Sequence, residues 1–489
     1  MTMTERAARL IDSAAKQLFV GGEWRGAASG EVFAVEDPST GKPLCEVADA
    51  SSDDARAALD AAVATQPVWG KYPPRERGEI LRSAYELMLK RQDDLALLMT
   101  LEMGKSLNEA KGEIAYAAEF FRWFAEEAVR IEGSYSLSPD GKARFLVMRQ
   151  PVGPTMLITP WNFPMAMGTR KIGPAIAAGC TMILKPAQQT PLSALALAGI
   201  LAEAGLPEGV LSVLPTTSAG ALTEPLLRGG QIRKLSFTGS TGVGRSLLEQ
   251  SAQQVLRTSM ELGGNAPFVV FDDADLDAAV DGAMQAKMRN IGEACTSANR
   301  FYVQSGVAAE FARRLTERMA ALTVGPGVEE GVDVGPLIDD KARQKVQSLV
   351  DDAVSRGARV LLGGSAGEGA GYFYQPTVLT DVPKDSELST TEIFGPVAPV
   401  ISFETEAEVI GAANDTEFGL VAYLYTRDLA RAFRVSEALE SGMIGLNQGI
   451  VSNPAAPFGG VKQSGLGREG GRVGIDEYLE TKYVGVGGI

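Results

Sequence analysis

The sequence predicts an α/β protein built from two parallel-sheet units. Three observations carry this expectation. Short apolar runs bounded by Pro or Gly (TMLITP, TMILKP, LSVLP, KLSFTGS) alternate with helical stretches such as PLSALALAGILAEAG. A second alternating series begins at APFVVFD, and the pair Gly263-Gly264 separates the two. Strands that are apolar throughout and joined by helices are the pattern of a buried parallel sheet, whereas a hairpin sheet alternates polar and apolar residues.

The elements follow in order. LFVGGEW and the turn DPSTGKP form a short β prelude. After the cap signal Ser51-Ser52, DDARAALDAAVATQ has the helical period, and RERGEILRSAYELMLKRQDDLALLMTLEMG continues as one further helical run. The helix IAYAAEFFRWFAEEA groups Phe120, Phe121, Trp123 and Phe124, which read as core packing in preference to a pocket wall. From residue 131, YSLSPDGKARFLVMRQPVG reads as a β-hairpin arm turning at Pro-Asp-Gly. The second series runs through DADLDAAVDGAMQAKM, RFYVQS, AEFARRLTERMAAL, PVAPVISF, LVAYLYT and MIGLN. The tail EYLETKYVGVGGI is strand-like and suited to adding to a neighbour's sheet.

Composition narrows the chemistry. The chain has 489 residues, 46 Lys+Arg against 61 Asp+Glu for a net charge of −15, and no histidine. Without imidazole, Ser-His-Asp hydrolases, Cys-His proteases and His-ligated zinc sites are excluded. Three cysteines, Cys45, Cys180 and Cys295, make neither a metal quartet nor a disulfide framework, which points to a reducing compartment and no metal. The acidic balance argues against nucleic acid. The opening MTMTERAARLIDSAAKQ mixes charges, and no apolar run approaches the roughly 18 residues of a membrane span, so a cytoplasmic protein without membrane contact is expected.

Three local features bear on activity. Gly239-Ser240-Thr-Gly-Val-Gly244-Arg-Ser246 follows the strand KLSF and opens a helix. Arg245 stands where a P-loop places its lysine, and the G-x-G-x-x-G spacing is absent, so what remains is a Gly-rich helix N-terminus suited to an anion such as a pyrophosphate. Cys295 has small polar neighbours, unlike Cys180 in IAAGCTMILKP, and composition alone leaves a reactive and an inert thiol evenly open. A free thiol near about 8.5 has to be activated, here by backbone dipoles, a cation or a carboxylate. Glu261 in Ser259-Met-Glu261-Leu262-Gly-Gly is a carboxylate partner for it, although read alone it is a surface glutamate at a strand end.

Pro160-Trp161-Asn162-Phe-Pro, Lys185-Pro, FTGST, MELGG, the Cys295 segment, Glu392-Ile-Phe394-Gly-Pro and PFGGVKQSGLGRE together resemble the NAD(P)-dependent aldehyde dehydrogenases over nearly the whole chain. The resemblance implies two Rossmann-like domains: a cofactor-binding domain over 1–130 and 152–262, and a catalytic domain over 263–460. An oligomerisation element over 131–151 and 478–489 completes a homodimer or homotetramer. It also implies that Cys295 attacks the aldehyde, that the Asn162 amide and the Cys295 N–H hold the oxyanion, and that Glu261 activates the water that deacylates the thioester. Gly239, Ser240 and Gly244 are then expected at the pyrophosphate, Glu392 at the nicotinamide ribose, Phe394 beside the ring, Lys185 at the adenosine ribose, and Trp161 and Leu262 along the cofactor side. NAD-selective members carry a glutamate three residues after the lysine. Gln188 stands there instead, and an amide does not repel a 2′-phosphate, so NADP is expected to be accepted and preferred over NAD.

Within that family, Thr169-Arg170-Lys, Lys287-Met-Arg289-Asn290 and Gly449-Ile-Val-Ser452 look most like the succinic semialdehyde dehydrogenase branch. The resemblance assigns Arg170, Arg289 and Ser452 to the substrate's distal carboxylate. The opposing reading places both arginines on helices facing solvent. Ser297 replaces a cysteine found in many relatives, which rules out a gating disulfide with Cys295, and Glu293 replaces a glutamine whose direction the sequence leaves open. The rival readings are glutarate semialdehyde or a broader aldehyde range, acyl transfer to coenzyme A, a P-loop ATPase, and an inactive binding protein on the same fold.

Overall fold

Residues 2–367 and 369–487 are described by a computed structural model. Two sheets with parallel centres organise the chain. The first runs in the order Glu23–Arg25, Leu18–Val20, Leu211–Val213, Met182–Lys185, Thr155–Ile158, Lys234–Thr238, Arg257–Glu261, Gly465–Leu466. Its five middle strands are parallel and its outer pairings antiparallel. From Thr155–Ile158 the chain steps outward one way to Met182–Lys185 and Leu211–Val213, then returns to place Lys234–Thr238 on the other side. That reversal opens a crevice beyond the carboxyl ends of Thr155–Ile158 and Lys234–Thr238.

The second sheet has the order Arg359–Leu362, Thr377–Thr380, Val397–Phe403, Ala298–Gln304, Ala266–Val270, Val421–Tyr425, Met443–Leu446, parallel except at Arg359–Leu362. Its central strands Ala266–Val270, Ala298–Gln304 and Val421–Tyr425 are almost wholly buried. Gly465–Leu466 carries the chain back to the first sheet, where Gly465 lies opposite Glu261.

The helical layer departs from expectation at three points. The run 75–104 is two helices, Pro74–Lys90 and Gln92–Met103, broken where Arg91 leaves the helical region at φ −105°, ψ 14°. The break turns the second helix so that Leu95–Met103 is entirely buried. A helix at Met3–Ser13 stands in the opening segment, fixed by a Thr2–Glu5 capping box that the mixed charges concealed. Phe120, Phe121 and Phe124 are core residues of Leu107–Glu127, whereas Trp123 is half-buried.

The hairpin arm forms from Ser134–Leu137 and Ala143–Pro151. Within the chain, Leu479–Gly487 pairs with Pro151–Ala143 over nine residues. The free edge of the arm lies beside the tail in the same chain, so this pairing needs no second molecule. Residues 488 and 489 of the expected strand lie outside the described residues. No helix among the described residues is long and apolar enough to cross a membrane.

Candidate active site

The crevice beyond the strand ends leads into a cavity of about 220 Å³ lined from both sheets. The first sheet contributes Trp161 and Asn162 from the loop after Thr155–Ile158, Gly239 and Ser240 after Lys234–Thr238, and Leu262 after Arg257–Glu261. The second contributes Arg289, Cys295, Glu392, Phe394 and Ser452. Residues scattered over three hundred positions thus meet around one thiol.

Cys295 is presented by a strained turn. Asn290 and Ile291 have φ of 55° and 63°, which side chains with a Cβ rarely adopt. The Cys295 carbonyl is seated against Gly264, where a Cβ would lie 2.5 Å from its oxygen. This is the close approach that the paired glycines after Glu261 permit. Burial pushes the Cys295 thiol up to about 12, with Glu392 and Glu261 adding to the rise and Arg170 and Arg289 opposing it. Its surroundings thus favour the protonated thiol at rest.

Asn162 is buried, and its side-chain amide donates to the Glu293 carbonyl at 2.9 Å, leaving its second N–H for the cavity. Glu293 turns away from the thiol: its carboxylate accepts from the Ile338 amide at 3.1 Å, and burial holds its pKa well above the usual range. Glu261 lies behind the cavity wall instead of lining it, with one carboxylate oxygen unbonded. Burial and then Glu469 push its proton affinity up, against the pull of Arg170, Lys171 and Arg468. Glu469 is the ionised member of this pair, held by Lys171 at 2.5 Å and Arg170 at 3.0 Å despite its burial.

The solvent-facing reading of the arginines fails. Arg170 is 2% exposed, and its guanidinium lies 3.8 Å from the centre of the Phe458 ring. Its Nε and Nη2 have no hydrogen-bond acceptor, because the contact with Glu469 lacks hydrogen-bond geometry. Arg289 sits between Tyr116 and Phe163, 5.4 and 5.0 Å from their ring centres, and no carboxylate among the described residues is within ion-pair distance of it. Ser452 completes the same wall. Guanidinium nitrogens without acceptors are costly to bury unless an anion meets them.

Sequence reasoning missed Tyr116, Phe163, Phe458 and Glu469. Tyr116 lies one helical turn before Phe120, Phe163 is in Pro160-Trp161-Asn162-Phe-Pro, and Phe458 and Glu469 are in PFGGVKQSGLGRE, so all four stood in segments already singled out.

A second cavity of about 610 Å³ shares Trp161, Gly239 and Ser240 with the first and extends to Lys185 and Gln188. Lys185 ends the strand Met182–Lys185 almost fully buried, without an ion-pair partner among the described residues, and burial lowers its pKa to about 8. Ser240 caps the helix Thr241–Ala252 without using its hydroxyl on the helix, so the hydroxyl and first-turn amides are available to an anion. Gly244 is not among the residues lining either cavity; it packs on Leu262, where a Cβ would come within 2.5 Å of Cδ2. Arg245 points to the outer surface and pairs with Glu417 and Gln463, which removes the phosphate-reaching role a P-loop needs. Glu392 accepts from the Gly264 amide at 3.0 Å, and burial brings its pKa to about 7. Phe394, at a left-handed φ of 56°, meets Trp161 edge-on at 5.4 Å. The donors and apolar walls of the two adjoining cavities fit a dinucleotide.

Residues 24–484 match the profile of the aldehyde dehydrogenase family. A succinate-semialdehyde dehydrogenase of Paenarthrobacter nicotinovorans is 58% identical over 91% of this chain and 98% of its own. The NADP(+) succinate-semialdehyde dehydrogenase GabD of Escherichia coli is 55% identical over 96% and 98%. A glutarate-semialdehyde dehydrogenase of Pseudomonas putida is 54% identical over 96% and 97%. A crystal structure of an E. coli NADP-dependent enzyme superposes with a TM-score of 0.96 at 54% identity, covering 98% of this chain and 99% of that one.

Proposed function

This chain belongs to the aldehyde dehydrogenase family, and from that premise we propose that it oxidises succinic semialdehyde to succinate with NADP+ in preference to NAD+. The observation that carries the substrate reading is the placement of two guanidinium groups in the cavity that holds Cys295: Arg289, between two aromatic rings with no carboxylate of the described residues in ion-pair distance, and Arg170, whose buried Nε and Nη2 have no hydrogen-bond acceptor. A four-carbon semialdehyde places a carboxylate at the far end from its carbonyl. Charge-assisted hydrogen bonds, about 1.5–3 kcal/mol each, offset the loss of water from that carboxylate.

The Cys295 thiol loses its proton to solvent, the thiolate sulfur adds to the aldehyde carbon, and the oxyanion is held by the free Asn162 N–H and the Cys295 amide. When bound, NADP+ would supply the hydride acceptor that the conversion of the Cys295 adduct to a thioester requires. Glu261 then takes a proton from water as the water attacks the thioester, and Cys295 leaves as thiolate. For the carboxylate to reach that water, Glu261 rotates from its retracted position. A retained base favours hydrolysis over acyl transfer to coenzyme A. Lys185, Gln188, Gly239 and Ser240 hold the adenosine and pyrophosphate, and Glu392, Phe394, Trp161 and Leu262 the nicotinamide side. On this basis 1–130 with 152–262 serves the cofactor and 263–460 the acyl chemistry.

Glutarate semialdehyde is the second reading, supported by the glutarate-semialdehyde relative. One methylene is worth only about 1–3 kcal/mol of discrimination. A panel of succinic semialdehyde, glutaric semialdehyde and butanal with both cofactors tests the assignment through kcat/KM. The expected order is the one just given, with NADP+ above NAD+; parity of butanal with the semialdehydes removes the anion clamp. The arm and tail expose Tyr135, Leu137 and Tyr483 at 65%, 59% and 59%, which supports a homodimer or homotetramer joined through this sheet, measurable by light scattering. Three free thiols, one of them the nucleophile, suit the reducing cytoplasm.

A further inference from the structure

Behind the cavity, out of reach of substrate, lies a buried cluster that the reaction as described leaves unused. Lys105 is 1% exposed and follows the left-handed Gly104 that ends Gln92–Met103. Its ammonium donates to Glu113 Oε2 at 2.5 Å and to the Asn162 carbonyl at 2.8 Å, and it lies 4.4 Å from the centre of the Phe163 ring. Glu113 uses its other oxygen to accept from the amides of Met165 and Ala166 at 3.0 and 3.1 Å. Two side chains thus grip the loop 162–166 at three backbone atoms, just where it leaves the sheet and enters the helix Ala166–Ala178.

The Asn290 amide group reaches the same loop from the other sheet. It donates to the Asn162 carbonyl and to the Glu293 carbonyl, both at 2.9 Å, and Glu293 O also receives the Asn162 side chain. The Asn162 carbonyl therefore has two donors, and the direction of its side-chain amide is set at both ends. A buried ion pair is poor evidence of stabilisation, since apolar replacements of similar volume are often as stable or more so. What Lys105 and Glu113 do supply is geometry.

We propose that Lys105 and Glu113 are positioning residues that aim the Asn162 amide at the oxyanion formed on Cys295. The proposal rests on the reading of Asn162 as the oxyanion donor. Misplacement of a reacting group by about 1 Å costs roughly a hundredfold in rate. Loss of an oxyanion donor costs about 10²–10³.

A double-mutant cycle in the full-length enzyme tests it, read as kcat and KM separately with succinic semialdehyde and NADP+. Lys105→Met is expected to lower kcat by about a hundredfold, with KM for both substrates within about threefold. Asn162→Ala is expected to lower kcat by about 10²–10³. In the Asn162→Ala background, Lys105→Met is expected to add less than about threefold, because interacting residues are non-additive. A hundredfold further loss there, or a Lys105→Met enzyme of normal kcat beside an impaired Asn162→Ala, overturns the positioning role alone. A normal kcat in Asn162→Ala overturns the oxyanion reading and the proposal with it. Glu113→Gln, which keeps an acceptor for Met165 and Ala166 but removes the charge holding Lys105, runs the same cycle if Lys105→Met does not fold, with a loss of about tenfold expected in kcat and none in the Asn162→Ala background.

Discussion

The tunnel around Cys295 and the crevice beside Lys185 adjoin across Trp161, Gly239 and Ser240, yet they are built on different principles. The tunnel encloses about 220 Å³ and packs buried charges around it: Arg170, Glu261 and Glu469, with Arg289 at its wall. The crevice has about 610 Å³ and is lined by the Gly-rich turn, the Ser240 hydroxyl and a single buried cation, Lys185, with Gln188 exposed at its rim. Charges separated by a few ångströms interact several-fold more strongly in a dry interior than at a wet rim. Changes in the tunnel should therefore be felt over orders of magnitude, and changes at the crevice rim over about one.

Glu261 gives the largest expected effect. Glu261→Gln should lower steady-state turnover by about 10²–10⁴, the usual contribution of a general base. A stoichiometric burst of NADPH should survive, since acylation does not use this carboxylate; rapid-mixing absorbance at the NADPH band measures both. Loss of the burst together with turnover would assign Glu261 to the first half of the reaction. The wild-type kcat should rise with pH, because the base acts only when ionised. Burial and the ionised Glu469 place that rise above the ordinary carboxylate range. Glu469→Gln removes a negative neighbour and frees Arg170 and Lys171 to attract the Glu261 charge, so the acid limb should move to lower pH. With no histidine in the chain, no side-chain imidazole can account for it.

Arg289 comes next. Arg289→Ala should raise KM for succinic semialdehyde roughly 10- to 150-fold, the equivalent of about 1.5–3 kcal/mol for a charge-assisted hydrogen bond. For butanal the change should stay within about threefold. Arg289 is the sharper test of the two arginines because it carries no ion pair of its own, whereas removing Arg170 also strips a partner from Glu469. Equal losses on both aldehydes would mean that Arg289 supports the aromatic walls at Tyr116 and Phe163 and holds no carboxylate.

The same contrast explains what could be read from the sequence. The crevice is a strand-turn-helix device, and its parts lie within a few residues of one another: Met182–Lys185 followed by Gln188, and Lys234–Thr238 followed by Gly239 and Ser240. Local pattern marks the Gly-rich turn at Gly239 and Ser240 and motif resemblance marks Lys185 and Gln188, whereas the contact of Gly244 with Leu262 is set by packing between helix and strand. The tunnel instead assembles Tyr116, Arg170, Arg289, Ser452 and Phe458 from distant segments, and no periodicity joins them. Motif resemblance supplied the charged members. The aromatic ones, and the direction of Glu293 away from the thiol, depend on the fold itself.

Gln188 closes the series with the smallest effect. It is exposed at the rim and lies beside Lys185 in the crevice, with no carboxylate of its own to oppose a 2′-phosphate. Gln188→Glu adds one negative charge there. At a few ångströms and a surface dielectric, repulsion of a phosphate amounts to about 1–2 kcal/mol, roughly tenfold. The kcat/KM for NADP+ should fall by about that factor while the value for NAD+ holds or rises, because a carboxylate can accept from both ribose hydroxyls. The change should lie in KM and shrink with added salt, as an exposed charge is screened within about 10 Å at 0.1 M. A loss in kcat, or one indifferent to salt, would place residue 188 in contact with the tunnel's chemistry and blur the division between a charged interior and a neutral rim.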